Sequence, residues 1–273
     1  MKRKSTTMGL THSQSPCERP VLSSGPAFPL PLDIWEEIFL NLPPHQVVCV
    51  CRLVCHQWKD VADSESFWRE RCRREGYRLR DASKTPKDWR LFYFCCKNRR
   101  NLLKNPRGDD KLRGWVVEDD GGDHWKIEAL MEPHPNDAVQ TNFVTSYGMC
   151  KKSQKINLAK EGYSPSFMDK FQPHIQISDW YSPRWDCGSE YTILVQLLNH
   201  KKEVIQEFAP ETVYFQQWND HQWHQMTHVF KDYGPGVRYV YFVHGGKDTQ
   251  FWAGWYGIRV TDSCVEVCPA IDA

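Results

Sequence analysis

The chain has 273 residues, 40% hydrophobic and 25% charged, which is apolar material for one large globular domain or two ordinary ones. Its 35 Lys and Arg against 34 Asp and Glu leave a net charge of +1, which argues against nucleic acid or an anionic membrane as a partner. No stretch approaches the roughly 20 apolar residues that cross a bilayer, so no membrane insertion is expected.

The opening "MKRKSTTMGLTHSQSPCERPVLSSGP" has basic residues but no apolar core of a secretory signal, and residues 1–27 read as a disordered tail. The eleven cysteines are therefore expected as thiols in a reducing compartment, with no CxxC pair to build a zinc site. His221 and His224 form an HxxH pair with no companion ligands nearby and read as a surface loop; no metal and no cofactor is expected.

From Phe28 to Gly76 the apolar spacing is helical. Pro29 and Pro31 stand at the front, and Leu32, Trp35, Ile38, Phe39 and Leu42 recur three and four residues apart. Pro43 and Pro44 stop that helix; a second apolar run goes from Val47 to Val61, and a third short segment opens at Phe67 and Trp68. Three short helices over about 48 residues make a small core, so this unit should be marginal alone and leave apolar surface for a partner.

The segment "LPLDIWEEIFLNLPPHQVVCVCRLVCHQWKDV" resembles an F-box: Leu30-Pro31, Ile38-Phe39, Leu42-Pro43, and Val54-Cys55 ahead of Trp58 stand at the family's spacings. That resemblance implies docking onto the Skp adaptor of a Skp–cullin–F-box (SCF) ubiquitin ligase, with Leu30, Pro31, Ile38 and Leu42 as adaptor contacts. The same side chains also suit closure of the unit's own core, and the sequence does not divide the two roles. Residues 77–100, with the aromatic and then basic run "TPKDWRLFYFCCKNRR", read as a helical linker, which would hold a bound substrate at a defined span.

After Asn101 the period changes. "EYTILVQLL" alternates Tyr191, Ile193, Val195 and Leu197; "GVRYVYFVHGG" alternates likewise. Further candidates are Gly114–Glu118, Trp125–Leu130, Asn142–Met149, His174–Trp180, Val204–Phe208, Trp223–Tyr233, Trp252–Val260 and Cys264–Cys268. About ten short strands, punctuated by Gly-Gly and Gly-Pro-Gly turns, predict an antiparallel, jelly-roll-like β-sandwich over 101–270, with one helical turn at Ser166–Phe171. The fold class is thus α+β multidomain.

No nucleophile elbow, Cys-His pattern or phosphate-cradling loop appears, and the acidic cluster Glu118, Asp119, Asp120 and Asp123 flanks a Gly-Gly turn as solvation would have it. A binding module is the default rather than an enzyme. The stretch "QFWAGWYG" packs Phe251, Trp252, Trp255 and Tyr256 closely, and a regular strand cannot turn both Phe251 and Trp252 to one core. Rings that face outward suit the C–H faces of pyranoses, with a carboxylate for the hydroxyls; Trp180, Tyr181, Trp185 and Asp186 supply a similar set.

"RNLLKNP", "FVTSYGMC", "SDWYSPRWDCG", "GPGVRYV" and "HGGKDTQFWAGWYGIRVT" resemble the carboxy-terminal domain of the F-box-only, sugar-recognising (Fbs, or F-box-associated) family. Such resemblance implies recognition of the inner chitobiose of high-mannose N-glycans on misfolded glycoproteins moved from the endoplasmic reticulum to the cytosol, and a cytoplasmic location. It implies a pocket of Tyr147, Asp186, Phe251 and Trp252, with Trp252 stacked on a sugar face and Asp186 accepting hydrogen bonds. Two positions depart from relatives: Phe251 stands where some have Tyr, and Ala253 where one has Lys. Each lost donor costs about 0.5–1.5 kcal/mol, roughly 2- to 12-fold in affinity. Two other readings remain: an adaptor whose sandwich binds protein surfaces without glycan, and a cytosolic glycosidase or glycanase.

Overall fold

The computed structural model describes residues 30–79 and 85–270. The tail assigned to 1–27 lies outside them. The chain separates between Ala62 and Asp63 into two compact units.

In the first unit, α1 (Leu32–Leu40) is followed by α2 (Pro44–Cys49), a 3-10 turn (Cys51–Leu53) and α3 (His56–Asp63). The second apolar run is therefore not one helix but two, broken at the 3-10 turn. Pro31 caps α1, and Pro44 opens α2 where a missing N–H costs no intrahelical bond. Phe39, Val47, Cys51 and Val61 are buried, and the Trp58 ring packs 4.8 Å from Trp35 and 5.3 Å from Phe39. These residues close the core. Leu30, Leu32, Ile34 and Ile38 stay exposed, as do Val50, Leu53 and Val54; Leu42 is half-buried.

In the second unit, α4 (Glu65–Arg74), which falls within the 28–76 segment, packs against α5 (Trp89–Lys97). Ser64 and Asp88 cap the two helices, accepting from the N–H groups of Phe67 and Leu91. Glu75 receives the Tyr93 hydroxyl at 2.7 Å and the Lys97 ammonium at 3.0 Å, and Trp68 lies 5.3 Å from Tyr93. After α5 the chain is sewn to the sandwich: Arg99 pairs with Glu266 at 2.7 Å, and Leu102 N–H donates to the Val265 carbonyl at 2.8 Å.

The sandwich has β1 (Val116–Asp120), β2 (Lys126–Ala129), β3 (Thr141–Val144), β4 (Cys150–Asn157), the short helix α6 (Pro165–Phe171), β5 (His174–Ser182), β6 (Ser189–Leu198), β7 (Val204–Phe208), β8 (Val213–Phe215), β9 (His224–Phe230), β10 (Tyr239–Asp248) and β11 (Arg259–Cys268). One sheet runs β1-β4-β10-β6-β7 with β8 also on β6; the other runs β2-β3-β11-β5-β9. Every pairing is antiparallel. Alternate residues of facing strands, such as Tyr191, Ile193, Val195 and Leu197 against Ile175, Ile177, Val265 and Val267, fill the space between sheets.

One strand expectation is corrected, and a strand stands where none was expected. Trp252–Val260 is a loop as far as Ile258, because side-chain carboxylates rather than a neighbouring strand take the N–H groups of Trp252 and Gly254. Cys150–Asn157 is a strand whose inward positions include Lys152 and Gln154, so no hydrophobic alternation marks it. Lys152 lies fully buried with its Nζ 3.5 Å from the Trp115 ring centroid and 3.9 Å from that of Phe143. It contacts His244 Nε2; His244 Nδ1 donates to Asp179 at 2.6 Å; Tyr191 and Ser263 donate to the same carboxylate at 2.6 and 2.7 Å. Burial drives the Lys152 amine well below its usual range and the His244 ring down to about 4, while Asp179 opposes both.

Candidate functional site

Loops that follow β3, β5, β8 and β10 meet, together with the turn between β1 and β2. The β10–β11 loop carries Phe251 and Trp252 outward, 77% and 38% exposed. Its backbone is fixed from beneath by two carboxylates. Asp248, itself buried, accepts the N–H of Phe251 at 2.6 Å and of Trp252 at 3.1 Å. Asp123 accepts the N–H of Gly254 at 2.6 Å. Ser146, in the β3–β4 loop, links the two, donating from Oγ to the Gly254 carbonyl at 2.7 Å and accepting from Asp123 N–H at 2.9 Å. Charge-assisted bonds of this kind are short and strong, and here they set the loop's shape before any ligand arrives.

Of the four rings in "QFWAGWYG", two therefore leave the core and two brace the loop. The Trp255 indole N–H donates to the carbonyls of Asp123 and His124, with the Lys126 ammonium 4.3 Å over its face. Tyr256 stands edge-on to Trp252 at 5.4 Å, with the Arg184 guanidinium 4.8 Å over it.

Tyr147 meets Phe251 edge to face at 5.0 Å, so these two predicted residues share one wall. Asp186 lies in the β5–β6 loop, half-buried, 3.6 Å from Arg184 Nε; its Oδ1 has no hydrogen-bond partner. It joins the aromatic loop through Arg184 and Tyr256 rather than through a hydrogen bond to Trp252. The loops approach closely at Gly188: a Cβ there would sit 2.4 Å from Thr249 Oγ1 and 2.8 Å from the Phe215 carbonyl. Burial pushes the neighbouring Cys187 thiol up to about 12, so it stays protonated and packs as an apolar group.

Sequence reasoning did not find Asp248, Ser146 or the role of Asp123. An aspartate three residues ahead of an aromatic pair is a signal, since Asx-type acceptance of i+2 to i+4 N–H groups is common in turns. It also missed Trp218. The HxxH pair serves locally: the His221 carbonyl accepts from Ser182, and the His224 ring packs 5.7 Å from Tyr181.

A family model described as the F-box associated region matches residues 93–267, and one described as the F-box domain matches residues 29–70. The chain is 48% identical over 242 residues to F-box only protein 6 of Bos taurus, covering 87% of this chain and 91% of that protein. It is 42% identical over 246 residues to F-box only protein 44 of Homo sapiens, covering 89% and 96%. Among solved structures, TmCBM61 in complex with β-1,4-galactotriose aligns with 61% of this chain and 97% of its own, at a TM-score of 0.37 and 12% identity.

Proposed function

We propose, for a chain that belongs to the family of F-box proteins carrying an F-box-associated region, that it is the substrate-recognition subunit of an SCF ubiquitin ligase and binds the chitobiose core of high-mannose N-glycans. Its substrates would be misfolded glycoproteins met in the cytoplasm and destined for degradation. Tyr147, Asp186, Phe251 and Trp252 would form the pocket, and Leu30, Pro31, Ile38 and Leu42 the adaptor contacts. It would act as an adaptor, with no catalytic step of its own.

The observation that carries the glycan reading is the pair of outward rings on a loop whose backbone two carboxylates hold rigid. A ring already fixed in place loses little freedom when it covers a pyranose face. The half-buried Asp186, ion-paired with Arg184 at 3.6 Å, supplies a carboxylate to accept from a hydroxyl or acetamide N–H. Exposed Leu30 and Ile38 on a small helical unit support the adaptor arm.

Calorimetric titration of chitobiose into the full-length chain tests the reading. Wild type should bind, while Trp252→Ala and Asp186→Asn should each lose most of the affinity. Phe251 and Ala253, which remove a phenol and an amine from this loop, favour the second reading, a sandwich that binds protein surfaces without sugar. No binding by wild type would select that reading.

A further inference from the structure

A second loop beside the proposed pocket is built on the same plan as the first. Trp218 stands in the left-handed region at φ +63, as Phe251 does at φ +58. An aromatic residue there is an outlier that persists only where its surroundings impose it. Both are exposed, Trp218 at 65%. Each is held by one polar side chain with several backbone partners: Asp248 for Phe251, Asn219 for Trp218. The Asn219 amide reaches the carbonyls of Arg184 at 2.7 Å, Gln216 at 2.9 Å and Cys187 at 3.3 Å, and its N–H donates to the Trp185 carbonyl at 3.2 Å. Gln217 Nε2 adds a bond to the Asp186 carbonyl at 3.0 Å.

This lacing brings Trp218 to 4.9 Å from Trp185, itself 52% exposed, with their planes 47° apart. Two half-exposed indoles, fixed by strain and by hydrogen bonds from beneath, serve no core. Their neighbours Gln216, Asp220 and Gln222 are exposed and polar. Rings set among hydroxyl-binding amides and carboxylates fit a pyranose, not the apolar side chains of a docking peptide. The platform is continuous with the proposed pocket: Trp185 precedes Asp186, and Arg184 of the same loop covers Tyr256 of the aromatic loop.

We propose that Trp185 and Trp218 form a second carbohydrate subsite, taking a pyranose beyond the disaccharide in the same glycan. It rests on the glycan reading of the pocket, but its test separates the two. The full-length chain is labelled with fluorotryptophan, the indole resonances are assigned by single substitution, and chitobiose and the trimannosyl-chitobiose pentasaccharide are added in turn. The disaccharide should move the Trp252 resonance alone; the pentasaccharide should also move those of Trp185 and Trp218. Trp218→Ala should weaken the pentasaccharide by about 2- to 12-fold and leave the disaccharide unchanged. Movement of Trp252 with Trp185 and Trp218 still overturns the subsite and leaves the pocket standing. Movement of Trp185 and Trp218 without Trp252 supports the subsite and removes the pocket. Equal weakening of both sugars by Trp218→Ala, or movement of Trp185 and Trp218 only with a glycopeptide and never with free glycan, overturns it.

Discussion

Asp248 accepts the backbone N–H of Phe251 at 2.6 Å while Phe251 holds a left-handed φ of +58. The carboxylate thereby fixes an exposed ring that packing alone would leave free. Asp248→Asn replaces one acceptor oxygen with an NH2 group, which cannot accept from Phe251 or Trp252. The loop then gives up one of its two clamping bonds, a loss of about 1–3 kcal/mol for a charge-assisted bond to a buried group. Chitobiose affinity measured by calorimetry should fall by roughly tenfold or more, with far-ultraviolet circular dichroism unchanged. Unchanged affinity would show that the loop keeps its shape without the clamp.

The buried network around Asp179 makes an asymmetric prediction. Asp179 receives Tyr191, Ser263 and His244, so Asp179→Ala strands three buried donors. The cost expected in urea denaturation is about 3–5 kcal/mol. Lys152→Met removes a buried amine and leaves an apolar chain against Trp115 and Phe143, stranding only the His244 acceptor. Its cost should be smaller, about 1–3 kcal/mol for the one acceptor left unpaired. A Lys152→Met loss as large as that of Asp179→Ala would mean that the lysine is essential to the network.

Acid sensitivity follows from the same residues. His244 falls to about 4 in the folded chain, below the ordinary 6.5, so its neutral form is favoured by folding. The unfolded chain therefore binds more protons between those values, and stability present above pH 6.5 is lost as pH falls through about 4. The Lys152 amine, also lowered, adds a slope of the same sign at higher pH. His244→Gln keeps an N–H for Asp179 and a carbonyl for Lys152 without a titrating ring. Its urea midpoint should change less than that of wild type between pH 7 and pH 5. Parallel pH profiles for the two chains would contradict the assignment.

These residues also mark where sequence pattern stops being informative. The alternation in β6 was legible because its inward positions are Tyr191, Ile193, Val195 and Leu197, all buried. In β4 the inward places of Lys152 and Gln154 are polar, since that strand hosts a network and not an oil-filled layer. The segment from Trp252 to Ile258 read as strand because aromatic content mimics β propensity; what decides against it is the two aspartates, one distant in sequence, that bind N–H groups there. Asp123 read as a solvated turn residue for the same reason. The outward rings were legible from composition, whereas Trp218 was hidden by its polar neighbours.

The helical unit divides its apolar residues between two tasks, and this gives separable variants. Trp35, Phe39 and Trp58 pack on one another, so Trp58→Ala should destabilise the unit by about 3–5 kcal/mol. Ile38 sits beside that cluster but points outward, exposed with Ile34, so its truncation removes little buried area. Leu30 is exposed as well, its carbonyl held by Gln57 Nε2 at 3.2 Å. If this face meets the Skp adaptor, Ile38→Glu and the double variant Leu30→Ala, Pro31→Ala should abolish co-purification with it while retaining wild-type helicity. A charge placed in an apolar interface core is repelled by desolvation alone. Leu42 is half-buried, and Leu42→Ala should lose both stability and adaptor binding. Adaptor capture that survives Ile38→Glu would place the docking surface elsewhere, with the exposed set Val50, Leu53 and Val54 as another apolar candidate among the described residues.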